Sequence, residues 1–353
     1  MARDEHELYA QHIYKRADWG TSVRLADSLW RIRLKNPKSS LMVNSYVLAA
    51  AGEIVVIDPG WPWTLDALEK ALVELEIIQR LEDVTTWLYT HTHIDHMGGA
   101  ALLAFRSAAR HLTWSGIAPE LLSWHSFQTR MNDWTWWLEQ AFAEPARSTL
   151  AVEVGERRAR RRRTMLSSFG EMSVRNAELF EHGDILELAG SSFEVIDARG
   201  HDMNHVAFYE RSRGWLIAGD AVIAVPTPIC PAMHDDLGCY EGTLTRLEGL
   251  GARLLLPGHG TQAVGAQKVR EAIGRSRGFV KQYREGVRAA LDEREPRGLW
   301  ELALALTPDH KPLAPQARWW VHLSLVESHL GWLIERGEAR VEDLGEGPRY
   351  AAS

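Results

Sequence analysis

Apolar and polar residues alternate through "SLWRIRLK" (28–35), which is the two-residue period of a half-buried strand. "LMVNSYVLAA" (41–50) and "EIVVIDPG" (53–60) read as two further strands, the second stopped by Pro59 and Gly60. The period then lengthens. In "TLDALEKALVELEII" (64–78), Leu65, Leu68, Leu72 and Leu75 form one helical stripe. "DVTTWLYT" (83–90) returns to strand character, and "GGAALLAFRSAAR" (98–110) is helical again.

From about 107 to 180 the pattern breaks. "PELLSWHSFQTRMNDWTWWLEQAF" is helical in composition and rich in tryptophan, and an arginine run, Arg157 to Arg163, follows it. We expect a helical insertion there. Strands resume in "DILELAGSSFEVIDARG" and in "HVAFYERSRGWLIAGDAV", which has a Gly-marked turn at Arg213–Gly214. "CYEGTLTRLEGLGARLLLPGHG" gives a helix, a turn and a short strand. The remainder is mostly helical. Leu323, Val326, Leu330 and Leu333 share one helix face, and two short strands flank the turn "GEGP", the outline of a winged-helix end. The expected division is a unit of residues 1–262 carrying the insertion, then a helical, winged-helix-like unit of residues 263–353.

Composition narrows the function. A net charge of −7 and a pI near 6.1 weigh against nucleic acid as the partner. Two cysteines, Cys230 and Cys239, exclude a disulfide framework and a Cys-rich zinc module. The first twenty residues contain no apolar run, and nowhere do about 18 apolar residues occur in succession. A cytoplasmic protein without a membrane span is the expectation.

The chemistry concentrates in "YTHTHIDHMGG" (89–99). It lies between a strand and a helix. Residues two apart in extended chain face the same side, so His91 and His93 can grip one ion together. Asp95 and His96 fall where the chain turns, facing a neighbouring position. Histidine and aspartate without cysteine suit zinc, iron or manganese. Further ligand types stand at strand ends: His201 in "GHDMNH", Asp220 in "AGDAV" and His259 in "PGHG".

"THTHIDHMGG" resembles the His-x-His-x-Asp-His signature of the metallo-β-lactamase superfamily, and the three later motifs resemble that family's in the same order. "VNSYVL…VVIDPGW" is similar to its first strands. The resemblance spans about Leu29 to Gly260, less the insertion. It implies a four-layer αββα sandwich with the insertion and the helical tail added. It also implies two divalent ions, zinc first, with iron or manganese as alternatives. His91, His93 and His201 would hold one ion. Asp95, His96 and His259 would hold the other, and Asp220 would bridge them. Asp58 and His205 would orient ligands by hydrogen bonds, although Asp58 also fits a plain turn before Pro-Gly and His205 a plain core histidine. The implied reaction is hydrolysis by a metal-bound hydroxide, with Asp95 orienting the nucleophile or accepting its proton.

The substrate expected first is a small-molecule ester, thioester or lactone. An endoribonuclease or phosphodiesterase is the alternative, drawn from the winged-helix outline and the arginines. A di-iron oxidoreductase stands below both, because such members replace a first-motif histidine with glutamate and His93 is kept. Trp61, Trp63, Trp134 and Trp137 are candidates for an apolar pocket wall or for ordinary packing. The arginine run is a solvated face or a contact for a charged group. The tail is structural or a homodimer contact rather than a DNA reader, since "WWVHLSLVESHLGWL" is nearly free of Lys and Arg.

Overall fold

Seven strands form the first sheet in chain order: β1 (Ser22–Ala26), β2 (Leu29–Lys35), β3 (Met42–Ala50), β4 (Glu53–Ile57), β5 (Thr86–Leu88), β6 (Arg110–Trp114) and β7 (Glu178–Phe180). The computed structural model describes residues 22–37, 41–123, 125–130, 174, 176–223, 237–307, 316–343 and 347–353. Strands β1 to β4 pair antiparallel through short connections, and β4 to β7 pair parallel. A parallel pair needs a crossover, and α1 (Leu65–Glu74) provides it between β4 and β5. Leu65, Leu68 and Leu72 are buried by that helix, as their spacing predicts.

Helix α1 stops at Glu74, short of the expected Ile78. The Ile77 N–H bonds back to the Leu72 carbonyl and the Glu76 N–H to that of Val73, with Glu76 at φ 57°. This is a C-terminal cap that usually recruits glycine, so its glutamate leaves no mark in the sequence. The interval expected as a helical insertion, 107–180, begins and ends as strand: β6 and β7 pair with each other at the edge of the first sheet. "RHLTW" does not alternate, because four successive residues of β6 are buried. Two further helices, α2 (Ile94–Met97) and α3 (Ala100–Arg106), follow β5, and α4 (Ala118–Leu122) follows β6.

The second sheet runs β8 (Ile185–Leu188), β9 (Ser191–Asp197), β10 (Val206–Glu210), β11 (Trp215–Gly219), β12 (Leu254–Pro257) and β13 (Ala263–Val264). One apolar cluster joins the inner faces of both sheets and includes Leu48, Val55, Phe193, Phe208 and Leu256. A second lies on the outer face of the second sheet. There Leu216 and Leu255 meet Leu244 of α5 (Leu237–Gly249) and Ile273 of α6 (Ala266–Ala290). Helix, sheet, sheet and helix thus stack as four layers, each face apolar where it is covered.

The far end of α6 enters a third cluster through Val287. Leu323, Val326, Leu330 and Leu333 of α8 (Gln316–Glu335) meet Leu302 of α7 (Leu299–Ala305) there. A hairpin of β14 (Ala339–Asp343) and β15 (Pro348–Ala352) closes the chain. Among the described residues no helix is long and apolar enough to cross a membrane.

Candidate metal centre

One isolated bridge pins the two sheets together where the chemistry lies. His91, just past β5, pairs with His205, just before β10, and the Val206 N–H donates to the Thr90 carbonyl at 2.8 Å. His201 lies in the loop between β9 and β10, Asp220 directly after β11, and His259 two residues after β12. All seven expected ligands therefore converge on one end of the sandwich. His91, His93, His201 and Asp220 offer ligand atoms within 4.8 Å of one another, and so do Asp95, His96 and His259.

Asp220 sits between the two groups. Its Oδ2 is 3.5 Å from His201 Nε2 and 3.2 Å from His259 Nε2. Asp95 Oδ2 is also 3.2 Å from His259 Nε2, and His93 Nδ1 is 3.2 Å from His201 Nε2. His91 and His93 are two apart in sequence and their ring centroids are 4.6 Å apart.

For His91, His96 and His259, hydrogen bonds to the other ring nitrogen set which atom is presented. Thr90 donates its hydroxyl to Asp58 Oδ2 at 2.6 Å and its N–H to Asp58 Oδ1 at 2.8 Å. The Thr90 oxygen, 2.9 Å from His91 Nδ1, is then left to accept, which puts the His91 proton on Nδ1 and the lone pair on Nε2. His96 Nδ1 donates to Asp58 Oδ2 at 2.9 Å, and His259 Nδ1 to the Met42 carbonyl. Nε2 of both rings faces the centre. His205 Nε2 accepts the Asp220 N–H at 3.1 Å, which ties His205 to the backbone that carries Asp220.

Asp58 adopts φ 56°, in the left-handed region that a non-glycine residue enters at a cost of about 1–3 kcal/mol. Its carboxylate reaches Thr90 and His96 from that conformation. Asp58 thus stands at the turn before Pro-Gly with its carboxylate on Thr90 and His96.

Burial pushes His91 and His201 below the usual imidazole range and takes His93 to about 3. These rings stay neutral, as ligands must be. Around the second group burial also opposes charge, but Asp220, Asp58 and Asp95 outweigh it and raise His96 to about 10. Asp220 and Asp95 raise His259 in the same way. Burial works against the Asp95 carboxylate, yet His96 and His259 hold it near 2. Three carboxylates thus demand positive charge at one point.

The donor set fits a metal. Nε2 of His91 and Oδ1 of Asp220 are buried and make no hydrogen bond to any described residue. Such orphaned polar atoms call for a partner. Glycines keep the space clear. At Gly258 an added Cβ would stand 2.2 Å from Asp220 Oδ1, and at Gly219, with φ +49°, it would stand 2.7 Å from Thr90 Oγ1.

A family model described as the metallo-beta-lactamase superfamily matches residues 40–259. The chain belongs to the metallo-beta-lactamase superfamily. A metallo-beta-lactamase family protein of Thermus thermophilus is 25% identical, with a TM-score of 0.73 over 94% of this chain and 100% of that one. A beta-lactamase domain protein from Burkholderia ambifaria shares the fold at 21% identity, with a TM-score of 0.69 over 98% of each chain. Among curated proteins, an atrochrysone carboxyl ACP thioesterase of Aspergillus fumigatus is 24% identical over 69% of this chain. A lactamase-like protein of Trichophyton equinum is 29% identical over 30% of it. The chain spans 57% of that thioesterase and 28% of the lactamase-like protein.

The remaining candidates scatter. Trp61 is buried in the main core, with its ring stacked on that of half-buried Trp63 at 6.4 Å between centroids. Trp134, Trp137, the arginine run and Cys230 lie outside the described residues. Sequence reasoning passed over Thr90, Asp202, Glu120 and Arg130, all buried beside the centre. Only Asp202 left a signal, as the residue directly after His201 in "GHDMNH".

Proposed function

We propose that the protein is a dinuclear metal-dependent hydrolase that cleaves a small-molecule acyl substrate, a thioester before an ester or lactone. The observation that carries this reading is Asp220, which belongs to the group of His91, His93 and His201 and lies 3.2 Å from His259 of the group of Asp95 and His96. His91, His93 and His201 would hold one ion, Asp95, His96 and His259 the other, and Asp220 both. An N/O donor set of this kind suits zinc, with iron or manganese as alternatives. When bound, such ions make water a nucleophile at neutral pH and polarise the carbonyl it attacks.

The chain's own residues supply positioning and proton handling. Asp58, through Thr90 and His96, fixes the rings of both groups. The Met42 carbonyl fixes His259. Asp95 is held ionised and so can accept a hydrogen bond at the centre, where it would orient a water. The preference for a thioester draws on the likeness to a thioesterase over most of this chain.

Metal analysis of the wild type and of His93→Ala tests the reading. It is paired with a panel of p-nitrophenyl esters, thioesters, lactones and phosphodiesters under zinc, manganese and iron loading. We expect about two ions per chain, loss of at least one in the variant, and turnover of an acyl substrate. Metal-free wild type with full activity would end it. Helix α8 followed by the β14–β15 hairpin supports a second reading, an endoribonuclease. Turnover of phosphodiesters and single-stranded RNA alone in the same panel would establish that reading instead.

A further inference from the structure

We propose that Asp202, charge-balanced by Arg130, is a positioning residue that locks the turn presenting His91 and His93 onto the loop presenting His201. The proposal rests on the dinuclear reading above.

Asp202 has no exposed surface and follows His201 directly. Its Oδ2 accepts the Thr92 N–H at 3.2 Å and also the Thr92 hydroxyl. Thr92 stands between His91 and His93. A single carboxylate therefore joins two chain segments, 110 residues apart, that carry three of the four ligands of one group. The β-bridge at His91 and His205 is a second tie between those segments.

A lone buried carboxylate would be costly. Arg130 answers it at 2.9 Å from Oδ1, with the Asn204 N–H at 2.9 Å on the same oxygen. Arg130 also donates to Glu120 at 2.6 Å, and Glu120 accepts from Asn204 Nδ2 at 3.0 Å. Glu120, Arg130, Asp202 and Asn204 thus close a ring of hydrogen bonds. A planar guanidinium with fixed donors serves two carboxylates at once, which an ammonium does less well. Arg130 and Glu120 belong to the stretch between β6 and β7, so that stretch underpins the metal turn through this ring. The ring's effect is on where the imidazoles are held, as the outer partners of metal ligands usually act.

The test uses the full chain, with Asp202→Asn, Thr92→Val, Arg130→Lys and Arg130→Met. Ion stoichiometry and competition affinities are measured with zinc, the absorption spectrum with cobalt, and kcat and KM on the best acyl substrate. Asp202→Asn should weaken one of the two ions by on the order of 10–100-fold, leave the other near wild type and alter the cobalt bands. Thr92→Val, which removes one hydroxyl, should move the same ion in the same direction by a smaller factor and stands in if Asp202→Asn fails to fold. Arg130→Lys should restore part of what Arg130→Met loses, and kcat should fall more than KM rises. If Asp202→Asn and Thr92→Val hold both ions within about threefold of wild type and keep the cobalt spectrum, the positioning role is wrong while the hydrolase stands. Wild type that retains no ion overturns both.

Discussion

Gly258→Ala puts one methyl group where the centre has no room for it. The new Cβ would lie 2.2 Å from Asp220 Oδ1 and 2.6 Å from His96 Cε1, whereas real Cβ atoms keep at least 3.0 Å. Relief requires a shift approaching 1 Å in Asp220, His96 or the backbone, and close-packed interiors do not absorb that freely. The backbone is held on both sides. The Gly258 N–H donates to the Gly219 carbonyl at 2.6 Å, and the Gly258 carbonyl accepts the Asn44 N–H at 2.7 Å. Asn44 Nδ2 also holds the Pro257 carbonyl at 2.8 Å and the Gly260 carbonyl at 2.9 Å. The side chains therefore move, and they are the proposed bridge and a proposed ligand. A misplacement of ~1 Å costs on the order of 10²-fold in rate, and overpacking costs about 1–3 kcal/mol of stability. The assays are kcat/KM on the best acyl substrate, metal content after dialysis, and the melting midpoint. Gly242→Ala is the control: Gly242 is an exposed α5 residue with open space at its Cβ, so alanine should stabilise it by about 0.5–1 kcal/mol. A Gly258→Ala protein with full metal content and kcat/KM near wild type would refute the claim that this contact sets the geometry.

Three further outcomes are expected. Metal-free protein at pH 7 carries protons on His96, held at about 10, and on raised His259, so metal loading should expel at least about two protons per chain. Calorimetry in buffers of different ionisation enthalpy measures this, and no proton release would contradict the charge assignment. His111 is buried, shares a hydrogen bond of 2.7 Å with the Tyr89 hydroxyl and is pushed by burial to about 4. The unfolded chain therefore takes up that proton first. His111 by itself should lower stability as pH drops from ~6.5 towards 4, by up to about 3 kcal/mol, so the fall should be shallower in His111→Gln. Equal pH dependence in denaturant titrations of both proteins would count against it. Arg130→Met leaves two buried carboxylates without their cation and should cost about 3–5 kcal/mol in urea unfolding, where a loss below ~1 kcal/mol would show that water reaches the ring.

Sequence alone determined the elements whose periods are clean and the seven proposed ligands. Leu65, Leu68 and Leu72 repeat at helical spacing because one face of α1 is buried, and His91 and His93 sit two apart because extended chain turns both to one side. Local chemistry writes such patterns directly into residue order. It could not show where α1 ends, since a backbone cap at Glu76 needs no particular side chain. Nor could it show that β6 and β7 are strands, because β6 is nearly continuous in burial and β7 has only three residues. The supports of the centre were just as hidden. Asp58 meets Thr90 and His96, Met42 meets His259, and Asp202 meets both Thr92 and Arg130, in each case across a turn, a sheet or the space between sheets. A hydrogen bond between residues far apart in the chain imposes no spacing on the sequence. Only the folded arrangement, in which two sheets meet at the bridge of His91 and His205, decides which carboxylate orients which ring.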